Sequence, residues 1–103
     1  MQDTLSSAIR ELWAQWRPTE LARVGVIERA AAKGPHVLER ERREAQAEAH
    51  RLAGTLAVLG ETAAADHARA LERRFLSGEL DAIEPLVRSL RAALEAPPLG
   101  SAP

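Results

Sequence analysis

The chain has 103 residues, of which 14 are basic and 15 acidic for a formal net charge of −1, and it has no cysteine. That length holds one domain, the missing thiols exclude a disulfide framework and a thiolate zinc site, and interspersed, nearly balanced charges argue against nucleic acid as the main partner. Hydrophobic residues make up 46% but aromatics only 3% (Trp13, Trp16 and Phe75), in a chain rich in the helix formers Ala, Leu, Glu and Arg.

Five helical segments are predicted. The first follows Asp3-Thr4 as a cap, carries Leu5, Ile9, Leu12 and Trp16 as its apolar stripe, and stops before Pro18. Trp16 is expected in the core and Trp13 partly exposed. Thr19 caps the second, in which Leu21, Val24, Ile27 and Ala31 face inward until Gly34-Pro35 ends it. The third runs from about His36 to Leu59, with Ala45, Ala49, Leu52, Leu56 and Leu59 inward and Gly60 as its stop. The fourth, roughly Glu61 to Leu76, repeats the pattern with Ala64, Ala68, Leu71 and Phe75, and Ser77-Gly78 breaks it. The fifth uses Asp81-x-x-Glu84 as a capping box and turns Ile83, Val87, Leu90 and Leu94 inward, with Pro85 tolerated only in its first turn.

Short connections imply antiparallel neighbours, and one apolar stripe per helix implies a bundle. The expected fold is all-α: an antiparallel four-helix bundle with an additional N-terminal helix across one end or flank. Residues 1–95 form the domain, and residues 96–103, closing on APPLGSAP, read as a linker or disordered tail. The start, MQDTLSSAIRELW, lacks the basic and apolar regions of a signal peptide. No apolar run approaches the roughly 20 residues that span a bilayer, so no membrane partner is expected.

The stretch EAHRLAGTLAVLG, Glu48 to Gly60, raises the functional question. Each helical residue is turned about 100° from the last, which puts His50 about 130° from the centre of the buried stripe. It stands on the outside, with Gln46 and Ala47 one turn before it, Gly54 and Ala57 after it, and Arg43 two turns before on nearly the same line. A surface needing only solubility would carry Glu, Lys or Arg there. A helix-interior glycine costs roughly 1 kcal/mol relative to alanine, so Gly54 points to a second surface coming close to the imidazole. The alternative is that alanine and glycine are simply frequent in this chain.

The whole pattern, His50-x-Leu52-x-Gly54-Thr55-x-x-x-Leu59-Gly60 followed by Ala68-x-x-Leu71-Glu72, resembles the histidine-containing phosphotransfer (HPt) family, whose signature is H-x-L-K-G-S-x-x-x-L-G with a downstream A-x-x-L-E. The resemblance implies that His50 is a phosphoacceptor in two-component or phosphorelay signalling, exchanging a phosphoryl group with receiver-domain aspartates. It also implies a cytoplasmic phosphocarrier without autonomous catalytic activity or cofactor of its own, the Mg²⁺ being brought by the receiver. Partners would be a response-regulator receiver domain, a hybrid histidine kinase, or both. The chain would be a monomeric module, either free-standing or the N-terminal part of a larger signalling protein. Arg43, Gln46, Ala47, Arg51, Ala53, Gly54 and Ala57 are the expected partner-binding residues, with Gln46 as the group that holds the opposite ring nitrogen. Thr55 replaces the usual Ser and Ala53 the usual Lys; Arg43 and Arg51 are the available basic substitutes. The alternative from another class is a phosphorylation-inert adaptor that docks a signalling partner with the same face.

A histidine-kinase dimerisation domain fits less well. His50 is followed by Arg51, not by an acid, and no proline occurs until Pro85. His36 and His67 are expected on the surface, no histidine pair sits at i, i+4, and no metal site is expected. Glu39 and Arg43, at i, i+4, favour a solvated, ion-paired face. Glu72 matches the family glutamate and is expected to have a surface or packing role.

Overall fold

The computed structural model describes residues 2–96, with side chains from Ser7 onward. They form α1 (Gln2–Lys33), a 3₁₀ turn (Gly34–His36), α2 (Glu39–Val58), α3 (Thr62–Ser77) and α4 (Glu84–Glu95). Each helix packs on its neighbours in the chain, and α4 closes the ring against α1. Contacts between helices follow the antiparallel sense: Lys33 and Arg23 of α1 form ion pairs with Glu41 and Glu48 of α2, while Glu28 of α1 pairs with Arg91 of α4 and Arg17 donates to the carbonyl of Glu95. The expected linker from residue 97 onward lies outside the described residues.

The bundle has four helices among the described residues, with no additional N-terminal helix. The first two predicted segments are one 32-residue helix that passes through Pro18. A proline in a helix interior costs about 3 kcal/mol, through a lost N–H and a clash with the preceding turn. Pro18 is exposed, as is Ala14, so the carbonyl left without a donor lies on the side of water. Meanwhile Trp13, Glu20, Val24, Ile27 and Ala31 make one buried stripe across the proline, and packing outweighs the local penalty.

That continuous stripe resets the phase of the first segment. Trp13 is buried at 4% exposure, whereas Leu12 is 40% exposed and Trp16 only partly buried, the reverse of the expected tryptophan roles. Ile9 is half-buried; the side chains of Asp3, Thr4 and Leu5 lie outside the described residues.

In α2, α3 and α4 every expected inward residue is buried, and Ala53 and Ala65 join them. Gly60 and Gly78 follow the ends of α2 and α3 at φ 77°, a left-handed conformation that costs glycine nothing. The Gly78 amide donates to the Arg74 carbonyl at 2.9 Å. The third predicted segment divides: Gly34–His36 is a 3₁₀ turn, and α2 starts at Glu39, where Glu41 accepts from the Leu38 amide at 3.2 Å. The expected Asp81 capping box does not form. Ile83 is the N-cap, Pro85 lies in the first turn of α4, and Asp81 stays in the turn, where its carbonyl accepts from Arg74.

Candidate functional site

Three side chains converge across the α2–α3 groove. Gln46 and His50, one turn apart on α2, both point toward Glu72 on α3. His50 Nδ1 lies 2.9 Å from Glu72 Oε2, and Gln46 Nε2 donates to the same oxygen at 3.2 Å. Arg42, one turn earlier on α2, donates to the carbonyls of Phe75 and Leu76 and pins this register.

Burial sets the roles. The His50 side chain is 71% exposed and that of Glu72 only 20%. An ionised carboxylate accepts and cannot donate, so the ring proton sits on Nδ1 and the Nε2 lone pair is directed away from Glu72. The imidazole thus has one nitrogen held by the bundle and the other available as a nucleophile. It lines neither of the clefts between α1 and α4 (Glu28, Ala31, Glu84, Val87) and between α1 and α2 (Trp16, Glu20, Arg23, Thr55).

The structure corrects the expected partner of the ring. The hydrogen bond of Gln46 goes to Glu72 rather than to the ring, so it steadies the carboxylate that holds His50. Glu72, expected in a surface or packing role, is the residue in contact. The signal in the sequence was its place in Ala68-x-x-Leu71-Glu72, but only the antiparallel pairing of α2 with α3 carries it to His50.

The other expected residues divide. Gly54 and Ala57 are exposed and Ala47 half-buried beside His50. A Cβ built on Gly54 meets nothing within 4 Å, so no packing contact within the bundle demands glycine there. Ala53, expected on the partner-binding face, is instead only 5% exposed and belongs to the core. Arg43 is exposed and bound to Glu39 at 2.8 Å, the expected i, i+4 pair. Arg51 is bound to Glu48 at 2.5 Å, and Glu48 also meets Arg23 of α1, so Arg51 leans to the flank opposite Glu72.

His36 is exposed, as expected, and His67 half-buried rather than solvated. Among the described residues no cluster of three or more His, Asp or Glu could hold a metal, and no helix is long and apolar enough to cross a membrane.

Behind the site, Glu20 is buried on α1 at 3% exposure. Its carboxyl is pushed above the ordinary value by burial, an effect opposed by Arg23 and reinforced by Glu48, and its Oε2 has no hydrogen-bond partner.

Comparison with curated proteins and with solved structures returns no match. Comparison with protein families matches the Hpt domain over residues 7–96, which includes all four helices except the first residues of α1. Hpt domains are phosphocarrier modules, not autonomous enzymes, and act by histidine phosphotransfer in phosphorelay signalling. With the sequence match spanning the bundle that carries His50, the chain belongs to the Hpt domain family.

Proposed function

We propose that this protein relays phosphoryl groups through His50, exchanging them with the aspartates of response-regulator receiver domains or of a hybrid histidine kinase, in the cytoplasm and as a monomeric module. The observation that carries the proposal is the exposed imidazole held at Nδ1 by Glu72.

In the forward step the Nε2 lone pair attacks the phosphorus of the receiver's aspartyl phosphate. The N–P bond forms as the P–O bond to the aspartate breaks, and the aspartate leaves as a carboxylate. The imidazole becomes a phosphorylated imidazolium, whose Nδ1 proton remains in the hydrogen bond to Glu72 and whose charge that carboxylate offsets. Passing the group onward reverses these bond changes. Phosphoryl transfer depends mostly on positioning and charge stabilisation; the receiver supplies the acidic pocket and its Mg²⁺.

The adaptor reading draws on Ala53, which leaves the family's lysine position without a charge. A docking surface alone has no need of a histidine whose tautomer is set by a carboxylate, and this favours transfer.

The test is incubation with phosphorylated receiver domains, followed by recovery of acid-labile, base-stable phosphate. Wild type is expected to take the label and His50→Gln to take none, with helix content and melting unchanged because little packing is lost at an exposed side chain. Label that persists in the variant, or moves to His36 or His67, defeats the assignment.

A further inference from the structure

We infer that Arg69 on α3 supplies the positive charge that α2 lacks beside His50, a role resting on the phosphotransfer reading above. Phosphorylation puts a charge of about −2 on the imidazole, and the Glu72 carboxylate is already 2.9 Å from its other nitrogen. That carboxylate already matches the imidazolium, so the phosphoryl oxygens on Nε2 need a cation of their own. Ala53, one turn after His50, is buried and uncharged. Arg51 is engaged with Glu48 on the far flank, and Arg43 lies nearly two turns away, bound to Glu39.

The register of α2 on α3 brings Arg69 to the vacant level. Ala65, Arg69, Glu72 and Leu76 follow one another at spacings of four and three and share a face of α3. That face meets α2, since Glu72 binds Gln46 and His50 while Ala65 is 1% exposed. The helices are antiparallel, so one turn back from Glu72 on α3 corresponds to one turn forward from His50 on α2. Arg69 therefore stands beside Ala53 and Gly54, at the outer edge of the groove, where a Cβ on Gly54 would meet only open space.

Arg69 is 46% exposed, and its hold is a 3.1 Å contact with Asp66, itself 68% exposed. Exposed pairs of this kind are weak and exchange readily with solvent or a better anion. The guanidinium can leave Asp66 for the oxygens of a phosphoryl group on Nε2, offering two parallel donors. It forms no covalent bond and moves no proton; it offsets the charge that accumulates as the N–P bond forms.

The experiment phosphorylates the intact chain with phosphoramidate, a small donor that needs no receiver. Labelling of His50 is followed by ³¹P NMR at low and high ionic strength, with His50→Gln as the blank. Arg69→Gln is expected to slow labelling about three- to tenfold at low salt and much less at high salt, as for an exposed charge. Arg69→Lys should recover most of the rate. Asp66→Asn, which releases Arg69, should label faster than wild type, and Arg73→Gln should match wild type. Labelling by Arg69→Gln at the wild-type rate at both salts overturns the inference. So does failure of Arg69→Lys to recover the rate while melting unchanged, because charge is then not what was lost. A wild-type chain that takes no label at His50 brings down the phosphotransfer reading itself, an outcome distinct from either.

Discussion

His50 on α2 and Glu72 on α3, 22 residues apart in the chain, are joined by a 2.9 Å hydrogen bond across the groove between the two helices. The bond orients a surface imidazole, because the carboxylate accepts the hydrogen bond from Nδ1 and the Nε2 edge faces away from it.

Removing that carboxylate should slow transfer without dismantling the bundle. Hydrogen bonds to charged groups contribute about 1.5–3 kcal/mol, so Glu72→Ala is expected to slow phosphoryl transfer by roughly 10- to 100-fold. Glu72→Gln keeps an acceptor but not the charge and should fall between. Gln46→Ala, which frees the carboxylate to move, should cost less than Glu72→Ala. Single-turnover transfer beside thermal melts checks the order; wild-type rates in all three variants would show that the bond is incidental.

Gly54 separates stability from docking. It lies in α2 with open space where a side chain would be, so Gly54→Ala should stabilise the fold by up to about 1 kcal/mol. Gly54→Leu and Gly54→Glu should also remain folded yet lose receiver binding, their added atoms standing one turn from His50. A receiver titration and a melt for each variant measure both effects. Normal binding by the larger variants would make the glycine incidental.

The two arginines expected to replace the missing lysine should behave differently. Arg43→Gln should slow association with a receiver's acidic pocket, more at low salt than at high. Arg51→Gln, whose charge is committed to Glu48 on the α1 flank, should leave the transfer rate close to that of wild type. A loss in Arg51→Gln as large as in Arg69→Gln would place the active charge on the wrong helix.

Glu20 should make stability depend on pH. Its carboxyl is raised by burial, so the folded value lies above the unfolded one. Its contribution is therefore fully present below the ordinary carboxylate range and is lost as pH rises through the raised value. Glu20→Gln, neutral throughout, should melt higher than wild type at neutral pH, and the difference should shrink toward acid. Glu41 acts in the opposite sense, its carboxyl held low first by the Lys33 hydrogen bond. It is common to both chains and cancels in the comparison. A difference that does not vary with pH would mean that Glu20 ionises as freely in the fold as outside it.

Local pattern determined much of this protein. Spacings of three and four placed Ala45, Ala49, Leu52 and Leu56 in the core and His50 outside it, and glycines in left-handed conformation ended α2 and α3 where they were expected. These features need only helical geometry and the cost of a positive φ. Tertiary structure decided what depends on partners far along the chain. Pro18 signals a helix end by its own chemistry, yet the stripe from Trp13 to Ala31, buried by α2 and α4, carries α1 through it. Ala53 joined the core because the assembled bundle widens the buried face of α2 beyond its stripe of threes and fours. Glu72 reached His50, and Arg69 the level of Ala53, only because α2 and α3 pair antiparallel in one register. Periodicity within a helix states which residues share a face, but burial of the apolar stripes against neighbouring helices chooses which faces meet.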